Sequence, residues 1–223
     1  MVLLVRHGQA AFGTDHYDRL SERGRQQARW LGEHLAALGV SPVRVVAGSL
    51  TRQRDTAIEL LAAMGLGDRS VVGLDAGLNE YDGESLYRCH TEGADQRAHQ
   101  QRDFRDYWRT FREAMRRWSD DSLDGMPESW AEFGARVRRA VDTATAGTTR
   151  DDTVLLVSSG GAIGRLIADL MVAPAATAIE LNLQFRNTGV CELIAGSGAL
   201  RLLSYNAIPH LDQPQRRHAI TFA

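Results

Sequence analysis

An arginine and a histidine stand side by side at the end of a short apolar run, Val2-Leu3-Leu4-Val5-Arg6-His7-Gly8. At the carboxyl edge of a strand such a pair is equipped for phosphate chemistry. A guanidinium grips two oxygens of a phosphoryl group, and a neutral imidazole attacks the phosphorus. Gly8 is expected to let the backbone turn sharply there. A second run of the same kind, Val154-Leu155-Leu156-Val157, ends in Ser158-Ser159-Gly160-Gly161. At this turn the backbone N–H groups that open the following helix are expected to face an anion.

The elements that must position these turns are legible from periodicity. Runs of four apolar residues read as strands buried on both faces, and ligands of open α/β sheets bind at the carboxyl ends of such strands. Residues 10–20 lack helical spacing and read as a loop, with Ser21 as the N-cap of a helix over 22–38. Ala28, Leu31, Leu35 and Leu38 share one face of that helix, and Gly39 ends it. A strand over 43–47 and a helix over 50–64, closed by Gly65, follow. A shorter strand over 70–74 leads into an acidic loop over 77–84. This β, α, β, α order predicts an α/β fold, a three-layer α/β/α sandwich with a mainly parallel sheet. Strands over 188–194 and 200–205, joined by Ala195-Gly196-Ser197-Gly198-Ala199, read as a hairpin that adds an antiparallel strand.

Between the third strand and a helix over 128–144, residues 85–122 are polar and charge-dense. Phe104, Trp108, Phe111, Met115 and Trp118 are spaced three or four apart, the mark of an amphipathic helix whose stripe is packing surface. The stretch is too long for a plain connection, so it reads as a helical excursion from a single domain spanning 1–223, able to cover a cleft. A helix over 162–172 follows the second strand-turn.

Composition narrows the partners. The 26 basic residues, all arginines, are balanced by 28 acidic ones for a net charge of -2. No broad basic field exists, so neither nucleic acid nor an anionic membrane is expected, and any anion site must be built locally. Cys89 and Cys191 have neither metal-ligand spacing nor a CxxC arrangement, which fits a reducing, cytoplasmic setting. The opening apolar run is too short for a signal peptide core, and no stretch has the length of a membrane span.

In order along the chain, these residues resemble the histidine phosphatase superfamily, also called phosphoglycerate mutase-like. The matching stretches are Arg6-His7-Gly8; Leu20-Ser21-Glu22-Arg23-Gly24 running on to Ala28; Ser49-Leu50-Thr51-Arg52 with Thr56-Ala57; Leu78-Asn79-Glu80; Pro127-Glu128-Ser129 with Arg136-Val137; Val157-Ser158; and Pro209-His210-Leu211. Each piece is weak alone, and their order over nearly the whole chain carries the resemblance. It implies His7 as the nucleophile that becomes phosphohistidine, Arg6 and Arg52 as clamps on the phosphoryl oxygens, and Glu80 as the proton donor, with Asp82 and Glu84 as substitutes in another loop register. The implied partner is a small phosphorylated substrate. Neither a cofactor nor a metal is implied, because the arginines supply the charge that Mg²⁺ brings to other phosphoryl-transfer sites.

In one place the chain departs from the pattern. The superfamily has His followed by Gly at the second strand-turn, and this chain has Ser159 followed by Gly160. A serine hydroxyl still donates one hydrogen bond, but an uncharged and shorter one. Loss of a transition-state donor costs about 10²–10³ in rate, so Ser159 and Gly160 are expected to bind phosphate with reduced turnover. Three readings follow: a phosphomonoester hydrolase acting through His7, a non-catalytic phospho-ligand binding protein, and a mutase-type phosphotransferase. His16, His34, His90, His99 and His218 are expected to be ordinary surface or helix residues, and His210 to be positional. Substrate identity and oligomeric state are open at this level.

Overall fold

A computed structural model describes residues 1–11, 18–67, 70–93, 103–196 and 199–222. Its centre is a pair of parallel strands, β1 (Val2–Arg6) and β4 (Val154–Ser158), in register from Val2 against Val154 to Arg6 against Ser158. Successive strand side chains point to opposite faces, so each of these strands feeds two cores. Val2, Leu4, Val154 and Leu156 join one core, and Leu3, Val5, Leu155 and Val157 join the other. That is the physical content of the four-residue apolar runs.

The remaining strands are β2 (Arg44–Ala47), β3 (Val72–Leu74), β5 (Val190–Gly196) and β6 (Ala199–Ala207), and the six-stranded sheet has the order β3-β2-β4-β1-β5-β6. β2 is parallel to β3 and β4, while β5 is antiparallel to β1 and β6. Only β5 therefore runs against the others, in a mainly parallel sheet. Residues 197 and 198 of the expected hairpin turn lie outside the described residues.

On one face lie α1 (Glu22–Ala37) and α2 (Thr51–Ala63), with Leu31, Leu35, Ala57, Leu60 and Leu61 buried against the sheet. Ser21 caps α1 by accepting from the N–H of Gly24, and Gly39 and Gly65 follow the two helices with φ of 71° and 72°, a conformation open to glycine at little cost. The other face carries α5 (Trp130–Thr145) and α6 (Gly160–Leu170).

Three helices differ from the sequence reading. α6 begins at Gly160 rather than at 162, because a carboxylate described below takes the first N–H groups and offsets the poor helix propensity of two glycines. The acidic loop turns helical early, as α3 (Gly83–His90), since Asp82 accepts from the N–H of Ser85. A further helix, α7 (Ala175–Leu183), is absent from the sequence expectations; Pro174 stands at its N-cap. In the excursion, α4 (Phe104–Ser119) buries Phe111, Met115 and Trp118, so its stripe is packing surface, as its spacing implies.

Candidate active site

The register of β1 and β4 sets His7 and Ser159 side by side, each one residue past the last pair. The N–H of His7 donates to the carbonyl of Ser158 at 2.9 Å. Both turns thus leave the sheet at one edge. Consecutive residues of α2 reach them, Arg52 touching His7 and Gln53 touching Ser159.

His7 is 5 % exposed. Its Nδ1 lies 2.7 Å from the carbonyl oxygen of Gly8, which can only accept, so Nδ1 carries the proton and Nε2 presents a lone pair. Arg52 Nε–H donates to that Nε2 at 3.2 Å. Burial, then the charges of Arg52 and Arg6, hold the imidazole pKa well below 6.5. His7 is therefore neutral at physiological pH, the form a nucleophile requires.

The arginines are fixed from behind. Arg52 Nη1 donates to Asp18 Oδ1 at 2.7 Å, and the other oxygen of Asp18 accepts from the N–H of Thr51 at 2.7 Å. Arg6 Nη1 donates to the carbonyls of Phe185 and Phe222, which ties the end of the chain to the first strand. Its Nε lies 3.5 Å from where a Cβ on Gly160 would stand.

Gly8 is required for a different reason than a sharp turn. A Cβ there would lie 2.4 Å from the carbonyl oxygen of Gly24, so the first turn of α1 rests directly on the loop after His7. Its N–H donates to Thr56 Oγ1 at 3.0 Å. Gly8→Ala is expected to cost about 1–3 kcal/mol by overpacking two backbones. In thermal denaturation this appears as a melting temperature several degrees lower, and an unchanged melting curve would contradict the contact.

Glu80 sits at the start of α6. Its Oε2 accepts from the N–H of Gly161 at 3.0 Å and its Oε1 from the N–H of Ala162 at 3.1 Å. The anion expected at this helix start is thus a carboxylate of the protein itself. Gly161 makes the approach possible, since a Cβ there would lie 2.3 Å from Glu80 Oε1. Burial raises the Glu80 pKa above 4.5, against the opposing pull of the Gly161 N–H and the two arginines. A carboxyl pushed toward neutrality can hold a proton to donate. Asp82 caps α3 and Glu84 is exposed on its first turn, so neither takes the place of Glu80.

The loop that carries Glu80 is held by Arg136. Its Nη1 donates to the carbonyls of Gly77 and Asn79 at 3.0 and 2.8 Å, while Nε and Nη2 form a two-pronged pair with Glu128, each at 2.7 Å. Arg136→Met leaves three carbonyls, of Gly77, Asn79 and Glu80, and a partly buried carboxylate without this partner. Catalytic turnover is expected to fall about 10-fold through a looser Glu80, with a small change in KM. A steady-state comparison of kcat and KM checks this.

Ser159 is fully buried and stands at the N-cap of α6, yet it makes no side-chain cap bond. Its Oγ accepts from Gln53 Nε2 at 2.8 Å. Asp18 and Gln53, which contact Arg52 and Ser159, are not among the residues singled out from sequence. Asp18 sits in an aperiodic loop, whereas Gln53, a polar residue on a largely apolar helix face, is a signal the sequence carries. His210 is buried, with Nε2 2.8 Å from Thr188 Oγ1, and its pKa is lowered to about 3 by burial. It braces Thr188, whose N–H donates to the carbonyl of His7, which fits a positional role. His34 and His90 lie on helices and His218 is exposed, whereas His16 and His99 fall outside the described residues. No cluster of metal-binding side chains occurs among the described residues.

With an imidazole, two guanidiniums and a carboxyl at one sheet edge, comparison with known proteins becomes informative. The model of the histidine phosphatase superfamily (branch 1) matches residues 2–208. The chain belongs to that superfamily. Among curated superfamily proteins, a probable phosphoglycerate mutase of Erwinia tasmaniensis is 29% identical over 195 residues, 85% of this chain and 82% of that protein. Among solved structures, a mycobacterial glucosyl-3-phosphoglycerate phosphatase in complex with VO3 is 28% identical, with a TM-score of 0.65 over 92% of this chain and 98% of its own. A second mycobacterial structure, described as a hydrolase, is 27% identical with a TM-score of 0.70 over 98% and 95% of the two chains. The relatives are thus phosphatases and mutases. No helix among the described residues is long and apolar enough to cross a membrane.

Proposed function

We propose that this protein is a phosphomonoester hydrolase that acts through a phosphohistidine on His7. The observation that carries the reading is the neutral, buried imidazole whose Nε2 is aimed at Arg52 by the Nδ1–Gly8 hydrogen bond. In the first step Nε2 attacks phosphorus, the bond to the leaving oxygen breaks, and Glu80 gives that oxygen its proton. In the second, water attacks the phosphohistidine, Glu80 takes back a proton, and inorganic phosphate leaves with His7 restored. Arg6 and Arg52 hold the phosphoryl oxygens as charge builds on them, and Ser159 and Gly160 border the same oxygens. The substrate is a small phosphorylated molecule, in keeping with the phosphatases and mutases to which the chain is similar.

Within the expected excursion, of which residues 94–102 lie outside the described residues, α4 suits a cover for this site, because its packing reaches the residue next to Glu80. Tyr81 packs at a tilt against Trp118, ring centres 5.3 Å apart, and against Phe111 at 6.4 Å. A binding role without chemistry is the second reading, favoured by the uncharged side chain at position 159. Release of inorganic phosphate from p-nitrophenyl phosphate separates the two. Steady release that His7→Ala abolishes supports the hydrolase, and phosphate binding without release supports the binding protein.

A further inference from the structure

The hydrogen-bond arithmetic around Gln53 has one solution. This side chain is fully buried, and its Nε2 lies 3.1 Å from the carbonyl oxygen of Leu78 and 2.8 Å from Ser159 Oγ. The Leu78 carbonyl only accepts, so the amide nitrogen, not the amide oxygen, faces it. An amide nitrogen has two hydrogens, and both are then spent, one on Leu78 and one on Ser159. Ser159 Oγ is consequently an acceptor in this contact, and its own hydrogen must go elsewhere. Among the described residues no acceptor takes it.

Two further features keep that hydroxyl committed. Serine at an N-cap ordinarily turns its oxygen onto the helix N–H groups, but Glu80 already occupies those of Gly161 and Ala162. The Oε1 of Gln53 is buried with no hydrogen-bond partner among the described residues and would lie 1.9 Å from a Cβ on Gly48, so the carboxamide packs closely against a glycine. A buried polar oxygen left unpaired is costly. Keeping Nε2 on Ser159 and Leu78 is what that cost accompanies.

We propose that Gln53 and Ser159 form a neutral two-residue relay, in which Gln53 fixes the serine hydroxyl so that its hydrogen is donated to an oxygen of the phosphoryl group held by His7, Arg6 and Arg52. Gln53 is a positioning residue and Ser159 the donor. The inference rests on the phosphate-site reading above, which sets Ser159 beside the phosphoryl oxygens, and it adds Gln53 as the residue that orients the serine hydroxyl.

The test is a double-mutant cycle read by calorimetric binding of orthovanadate, which adopts the geometry of a phosphoryl group in transfer. Four proteins are compared with the unmodified chain: Ser159→Ala, Gln53→Met, the combination of both, and His7→Ala as a control for the site. Ser159→Ala is expected to weaken vanadate about 10-fold, and Gln53→Met about 3- to 10-fold by freeing the hydroxyl to rotate. Adding Gln53→Met to Ser159→Ala is expected to change affinity less than 2-fold, because the donor it positions is already gone. Circular dichroism and melting curves accompany each protein. If Gln53→Met does not fold, Gln53→Asn, which keeps the amide but draws it back from Ser159, takes its place in the cycle with the same expectation. Additive losses, or a folded Ser159→Ala that binds vanadate as tightly as the unmodified protein, overturn the relay while leaving the phosphate site in place. Failure of the unmodified protein to bind vanadate overturns both.

Discussion

Replacing His7 with alanine is expected to lower turnover of p-nitrophenyl phosphate by about 10⁴-fold or more with the fold retained. The magnitude follows from the role. Without the imidazole no covalent intermediate forms, and water must displace the leaving group in one step in a site not arranged for it. Arg6 and Arg52 keep their anchors in Phe185, Phe222 and Asp18, so phosphate affinity is expected to change far less than turnover. Steady-state kinetics beside a phosphate-binding titration separate the two effects. A His7→Ala protein that retains a tenth of its turnover would assign the chemistry to another group.

The second large effect belongs to Glu80, and the leaving group controls its size. Glu80→Gln is expected to slow hydrolysis of an alkyl phosphate by about 10²–10⁴-fold, because an alkoxide must be protonated as it departs. With p-nitrophenyl phosphate, whose leaving group is stable as an anion, the loss is expected to be much smaller. The pH profile carries the same information. The productive state combines a neutral His7 with a protonated Glu80. Burial moves the His7 pKa down from 6.5 and the Glu80 pKa up from 4.5, so both shifts widen the overlap of those two forms. As pH falls through the lowered His7 pKa the nucleophile is protonated and the rate drops. As pH rises through the raised Glu80 pKa the donor is lost and the rate drops again. Glu80→Gln is expected to erase the alkaline limb and keep the acidic one. Equal losses on both substrates, with an unchanged profile, would remove Glu80 from the proton-transfer role.

Much of the scaffold under these residues is legible from local chemistry. Val2 to Val5 and Val154 to Val157 are apolar on every position because both faces of β1 and β4 are covered, and their pairing follows from that shared environment. Ser21, Gly39 and Gly65 mark helix ends through capping and positive φ, which depend on neighbours in sequence alone. What escapes is what depends on partners distant in sequence. Gly8 reads as a turn glycine, but the atom that forbids a side chain belongs to Gly24 on the next helix. The start of α6 is set by Glu80, some 80 residues earlier. Ser159 is legible in the sequence as a polar residue at the strand-turn, but its buried partner Gln53 comes from a helix some hundred residues earlier.

The central claim is that the phosphoryl group passes through His7, and trapping that intermediate tests it most directly. The protein is mixed with a ³²P-labelled phosphomonoester, quenched in denaturant at alkaline pH within milliseconds, and digested for mass spectrometry. Phosphohistidine survives alkali and is lost in acid, unlike a phosphoserine. The account predicts alkali-stable, acid-labile label on the peptide containing His7, and none in His7→Ala. Label on Ser159 or another residue, or label that persists in His7→Ala, would contradict it.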